Sequence, residues 1–232
     1  MLVGRRGDDH HTTAVESETT VASGIKPFSK PTRERARTLG TQAQESVVRI
    51  TTDDGGGTGW IIDDGYILTN SHIVQDTKSV AIETFDGQTG TATRVGYHQD
   101  LFPDIALLKT NFDTPPPLSM STVSLSHGDV VLAVGHPITV GEWAISLGRY
   151  DHYNAHSNWL LATIPTEDGN SGSPLLTLDG DVVGCINGTT RKTHTIERMN
   201  RSHTVYTAYP KKVTVATATP ARTIAKWMKK WR

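Results

Sequence analysis

At 232 residues the chain can hold one sizeable domain or two small ones, and its single cysteine, Cys185, rules out an intramolecular disulfide. Its 23 Lys and Arg against 24 Asp and Glu leave a net charge of −1, so no global field favours nucleic acid or an acidic substrate. Its 21 glycines and 11 prolines suit a protein of many short strands and turns.

Residues 1–40 are rich in Thr, Ser, Glu and Arg with no sustained apolar period, and read as a disordered polar arm. Arg5 and Arg6 are not followed by an apolar core, so no signal peptide is recognisable, and no run is long enough for a membrane span. On that basis the protein is expected in the cytoplasm unless an export signal lies outside this sequence. His10 and His11 read as solvated side chains, not as metal ligands.

Residues 41–113 change to short β-branched runs. Val47 to Thr52 reads as a strand, Gly55-Gly56-Gly57 as a loop, and Thr58 to Ile62 as a hairpin with Tyr66 to Thr69 across Asp63-Asp64-Gly65. Val80 to Phe85, Gln88 to Tyr97 and Ile105 to Lys109 follow, with His72 and Asp104 at strand ends. Thr114-Pro115-Pro116-Pro117 cannot sit in a sheet and marks a boundary.

A second strand set fills residues 114–218: Val130 to Val134, Trp143 to Leu147, Trp159 to Thr163, Pro174 to Thr177, Val182 to Ile186 and Val205 to Tyr209, with 189–203 an irregular loop. Within it, His152 and His156 have the spacing of two helical metal ligands, but the intervening residues read as a loop without a third ligand. Cys185, in Val182-Val183-Gly184-Cys185-Ile186, reads as a small buried hydrophobe. Residues 219–232 form a short amphipathic helix, with Thr219 as capping hydroxyl before Pro220 and Ile224, Trp227, Met228 and Trp231 on one face; it is expected to pack on its own barrel and not on a membrane. The predicted class is all-β: two antiparallel six-stranded barrels with a short C-terminal α-helix.

The chemistry concentrates in Asp168-Gly169-Asn170-Ser171-Gly172-Ser173-Pro174. Glycines before and after Ser171 permit a tight turn and close approach of a ligand. The amides of Gly169 and Ser171, flanking Asn170, can then cradle an oxyanion beside the hydroxyl. A serine hydroxyl needs a base and an orienting group. Both lie upstream, His72 closing Leu68-Thr69-Asn70-Ser71-His72 and Asp104 heading Asp104-Ile105-Ala106-Leu107-Leu108.

With these three motifs in the order His, Asp, Ser, residues 45–190 resemble the disulfide-free bacterial branch of the chymotrypsin-like serine peptidases. The first half is most similar to HtrA-type proteases, and Gly172-Ser173-Pro174 to glutamyl endopeptidases. The resemblance implies a double barrel, a catalytic triad of His72, Asp104 and Ser171, a polypeptide substrate, and no cofactor or metal. It also implies a pocket for the residue before the scissile bond lined by Ile164, Pro165, Thr166, Ile186, Asn187 and Gly188. Without a carboxylate at its base, that pocket suits small or apolar side chains. Asn170 stands where the digestive branch carries an aspartate that pairs with a cleaved N-terminus, so this site should form without processing. Two other classes remain open: a binding or scaffolding protein on the same fold, and an esterase using the same residues.

Overall fold

The structure is a computed structural model that describes residues 27–111, 113–191 and 214–232. It begins with a helix, α1 (Lys30–Gln44), followed by six strands: β1 (Val47–Thr52), β2 (Gly55–Asp63), β3 (Tyr66–Thr69), β4 (Ser79–Thr84), β5 (Thr89–Tyr97) and β6 (Ala106–Thr110). A single turn of helix, α2 (Ser71–Val74), interrupts this series after β3. The second set is β7 (Val130–Gly135), β8 (Ala144–Asn154), β9 (Trp159–Ala162), β10 (Pro174–Thr177), β11 (Val182–Arg191) and β12 (Thr214–Pro220), and the chain ends in α3 (Ala221–Trp231).

Each set closes on itself. The first barrel runs β1-β2-β3-β6-β5-β4 and the second β10-β11-β12-β9-β8-β7, with antiparallel pairing throughout both. The fold is therefore the expected double barrel. Among the described residues, closure leaves no free sheet edge in either half. Alternation along the strands fills each interior: Ile50, Ile61, Ile67 and Leu108 in the first, Val131, Ala133, Leu175 and Val183 in the second. A third cluster lies between the barrels and joins Trp60, Leu107, Leu132, Val134, Trp143, Leu176 and Cys185.

Several elements differ from the sequence reading. Residues 30–40, assigned to a disordered arm, are helical: Ser29 caps α1 by accepting from the Thr32 amide, and Ala36, Leu39 and Ala43 are buried. The sparse small apolar residues of α1 cover one narrow stripe, too weak a period to stand out in a polar segment. Gly55 to Gly57 are strand, not loop, pairing with Thr52, Thr51 and Ile50. Glycine is needed there because a Cβ on Gly57 would come within 3.0 Å of the Ser171 carbonyl and closer still to Ile73. Of residues 153–155, read as loop, 153 and 154 extend β8, and His152 sits on that strand opposite Leu161. Thr219 does not cap α3; it lies in β12, and its hydroxyl donates to Asn187 Oδ1 at 3.0 Å. Residues 189–191 belong to β11, whereas the strand expected at 205–209 and the loop expected at 192–203 lie outside the described residues.

The helix α3 buries Ile224 and Met228 and lays Trp231 against Gly96 of β5, where a Cβ would meet the indole at 2.3 Å. Among the described residues no helix is long and apolar enough to cross a membrane.

Candidate active site

His72 lies in the first turn of α2, which leaves β3 at the rim of the first barrel. Asp104 precedes β6, the strand paired with β3, so the two side chains are neighbours because their strands are. His72 Nδ1 is 2.6 Å from Asp104 Oδ2, and the His72 backbone amide donates to Asp104 Oδ1 at 3.1 Å. The aspartate side chain is only 13% exposed and the imidazole 35%, so the pair is screened by protein on the carboxylate side and open on the other.

Two residues that sequence reasoning passed over hold this pair in register. The Asn70 carboxamide does not cap α2 but donates to the Asp104 carbonyl at 2.7 Å. The Ser71 hydroxyl donates to the next carbonyl, that of Ile105, at 2.6 Å and accepts from the His98 amide at 2.9 Å. Both residues are fully buried, and their position in a polar run at the end of an apolar strand was the available signal.

Ser171 sits on the turn before β10, in the second barrel. The turn is wedged against the first barrel: the Thr58 amide donates to the Ser171 carbonyl at 2.8 Å, and the Thr58 hydroxyl to the Gly169 carbonyl at 2.8 Å. Gly169 has φ +94°, and a Cβ there would lie 2.0 Å from the His136 carbonyl. Gly172 has φ +88°, and a Cβ there would lie 1.9 Å from the Thr58 carbonyl. The glycines are thus required by both conformation and space. The Asn170 amide is committed to the Glu167 carbonyl at 3.1 Å. Those of Gly169 and Ser171 meet no acceptor among the described residues, so only these two of the three remain as donors. The Ser171 hydroxyl donates to the Asn187 carbonyl at 3.2 Å, and no hydrogen bond joins it to His72 among the described residues.

His72, Gly169 and Ser171 border a groove of about 770 Å³ that extends toward the β1–β2 turn and the Pro137-Ile138 segment. Its rim carries Arg49, paired with Glu83 and, at 3.0 Å, with Glu142. None of Ile164, Pro165, Thr166, Ile186, Asn187 and Gly188 borders this groove. Ile164 and Ile186 are packed into the interior of the second barrel, which corrects their assignment to a pocket wall: strand alternation turns Ile186 inward. Pro165 is exposed, Thr166 is buried with its hydroxyl unpartnered, and Asn187 and Gly188 are half-buried on β11.

Burial shapes the remaining titratable groups. His136, beside the groove and edge-on to Trp143, is held down to about 4, chiefly because burial disfavours its charged form. Burial, reinforced by the nearby Asp104 charge, pushes the Cys185 thiol up, in keeping with an inert core side chain. His98 packs against Trp227 and Trp231, His127 Nδ1 reaches the Asp151 carbonyl at 2.9 Å, and His152 lies 3.3 Å from Asp151. Among the described residues no cluster of three or more His, Cys, Asp and Glu could hold a metal ion.

Comparison with known proteins identifies the family and the fold. The sequence model of the trypsin-like peptidase domain matches residues 57–185. A relative in Chlamydia pneumoniae, named "Probable periplasmic serine endoprotease DegP-like", is 35% identical over 136 residues, covering 55% of this chain and 28% of that protein. The "Serine endoprotease DegS" of Haemophilus influenzae is 31% identical over 137 residues, covering 55% of this chain and 40% of that protein. The chain thus spans well under half the length of these relatives. Among solved structures, the serine endoprotease from Yersinia pestis has the same fold, with a TM-score of 0.67 at 23% identity over 89% of this chain and 68% of that one. The periplasmic relatives overturn the expectation of a cytoplasmic location. That expectation rested on Arg5 and Arg6 not being followed by an apolar core, which does not decide whether the protein is exported.

Proposed function

The chain belongs to the trypsin-like peptidase domain family, and from that premise we propose that it is an exported serine endopeptidase whose triad is His72, Asp104 and Ser171. The observation that carries this reading is the 2.6 Å His72–Asp104 contact facing the groove that also contains Ser171 and its two uncommitted amides.

In the proposed reaction the Ser171 hydroxyl leaves the Asn187 carbonyl, gives its proton to His72 Nε2 and attacks the scissile carbonyl. Asp104 keeps the proton of His72 on Nδ1 and stabilises the imidazolium. The Gly169 and Ser171 amides receive the oxyanion, a contribution worth about 3–4 kcal/mol per donor in such sites. His72 then protonates the leaving amine, and a water activated by the same imidazole releases the acyl group from Ser171.

The side chain before the scissile bond would lie outside that groove, on the β11 side of Ser171, against Asn187 and Gly188, with Pro165 and Thr166 at the margin. No carboxylate is among them, so a cation there would be desolvated without a partner. We assign a small or apolar residue to that position. Labelling with a serine-directed fluorophosphonate tests the function, with Ser171→Ala as control. Labelling of the parent and none of the variant is expected, and an unlabelled parent would sink the reading.

A further inference from the structure

We propose that Asn70 and Asn187 form a latch between the two barrels that positions the His72–Asp104 pair relative to Ser171, a role that rests on the serine-hydrolase reading above. Asn70 is fully buried two residues before His72. One end of the latch is its 2.7 Å donation to the Asp104 carbonyl. The same Nδ2 lies 3.5 Å from Asn187 Oδ1 on β11 of the second barrel. Asn187 Oδ1 also accepts from Thr219 Oγ1 at 3.0 Å, and the Asn187 carbonyl accepts from the Ser171 hydroxyl at 3.2 Å. Asn187 therefore touches the nucleophile with its backbone and, through Asn70, the backbone of the orienting aspartate with its side chain.

A divided site needs such a contact. The apolar cluster between the barrels supplies attraction, but apolar burial has no direction and tolerates sliding. A misplacement of about 1 Å between nucleophile and base costs on the order of a hundredfold in rate. Hydrogen bonds restrict both angle and distance, so a polar contact at the seam fixes what the apolar contacts leave soft.

The polar atoms left over on the two asparagines give the second reason. Asn70 Oδ1 and Asn187 Nδ2 are both buried and without a partner. Each orphan costs about 1–3 kcal/mol, so a fold that needed only stability would place apolar residues here. One is an acceptor and the other a donor. The two carboxamides therefore hold one long bond and carry the atoms for a second, so a small approach of the barrels would complete a two-bond amide pair.

The test uses Asn70→Ala, Asn187→Ala and the double variant in the full chain, each checked for cooperative unfolding. Asn187→Ala keeps the carbonyl that receives Ser171. Each single variant is expected to lower kcat for a peptide substrate by about ten- to a hundredfold, with KM within about twofold in Asn70→Ala, whose side chain meets no substrate. The double variant should be no slower than the slower single one, because the two act as a unit. Parental kcat in either single variant, or losses that multiply in the double one, would overturn the latch. If Asn70→Ala fails to fold, Asn187→Ala decides by the same kcat criterion. A second readout does not depend on turnover: the proton in the short His72–Asp104 hydrogen bond should resonate far downfield in the parent, and shift or broaden in Asn187→Ala. An unchanged resonance overturns the latch. A parent that shows the resonance and hydrolyses nothing sinks the hydrolase reading instead.

Discussion

The hydroxyl of Ser171 donates to the carbonyl of Asn187 at 3.2 Å, so the proposed nucleophile rests against a strand of its own barrel while His72 stands paired with Asp104 in the other. The proposed reaction requires the Ser171 hydroxyl to leave that carbonyl for His72, and the predictions below follow from that arrangement.

Ser171→Ala removes one hydrogen bond and no packing. Stability is expected to change by no more than about 1 kcal/mol, and peptide hydrolysis to fall by about four to six orders of magnitude. Urea unfolding and a peptidase assay on the same preparation check both. A folded variant that hydrolyses at the parental rate would remove Ser171 from the mechanism.

Asp104→Asn keeps the shape of the side chain but leaves one acceptor oxygen for two His72 donors, the ring Nδ1 proton and the backbone amide, which frees the imidazole to take the wrong tautomer. A loss of about 10⁴ in kcat is expected with little change in KM. Comparable turnover in the variant would mean that the 2.6 Å contact is structural only.

Gly169→Ala places a Cβ 2.0 Å from the His136 carbonyl at a residue with φ +94°. The turn must shift and carry the Gly169 amide with it. A drop of about 10²–10³ in kcat is expected, the size associated with one oxyanion donor. Single-turnover kinetics, compared with the rate of fluorophosphonate labelling, would expose an undisturbed cradle.

His136 is neutral in the folded protein until about pH 4, whereas an unfolded histidine takes its proton near pH 6.5. Between these values the unfolded chain binds more protons, so stability falls as the pH drops from about 6.5 to about 4, by about 3 kcal/mol, and is constant in this respect above 6.5. His136→Asn should flatten that stretch of the stability profile measured by urea unfolding. An equal slope in parent and variant would assign the loss to other groups.

Leu39→Ala tests whether α1 belongs to the core. Leu39 packs in the inter-barrel cluster with Trp143 and Leu176, and its truncation should cost about 2–4 kcal/mol. Unchanged unfolding would restore the view of this segment as a loose arm.

The residues of the candidate site stood out in the sequence because their constraints are local. Gly169 and Gly172 are demanded by the backbone of one turn. The alternation of short β-branched runs is imposed strand by strand, so the double barrel could be read before any contact was known. The amphipathic face of α3 was visible for the same reason: Ile224 and Met228 recur at a helical period within a single segment.

What the sequence left undecided depends on contacts between distant positions. The three glycines at 55–57 looked like a loop, because nothing local says that the Ser171 turn passes over Gly57. Ile186 looked like a pocket wall until the register of β11 against β12 turned it inward. Leu39 fell in a segment read as a disordered arm until the cluster between the barrels took it in. Asn70 and Asn187, 117 positions apart, meet only when both barrels have closed. Local propensity and periodicity act within a few residues and chose the elements. Which faces meet, and which hydrogen bonds cross between the halves of the site, was decided by packing, whose partners no single stretch of sequence contains.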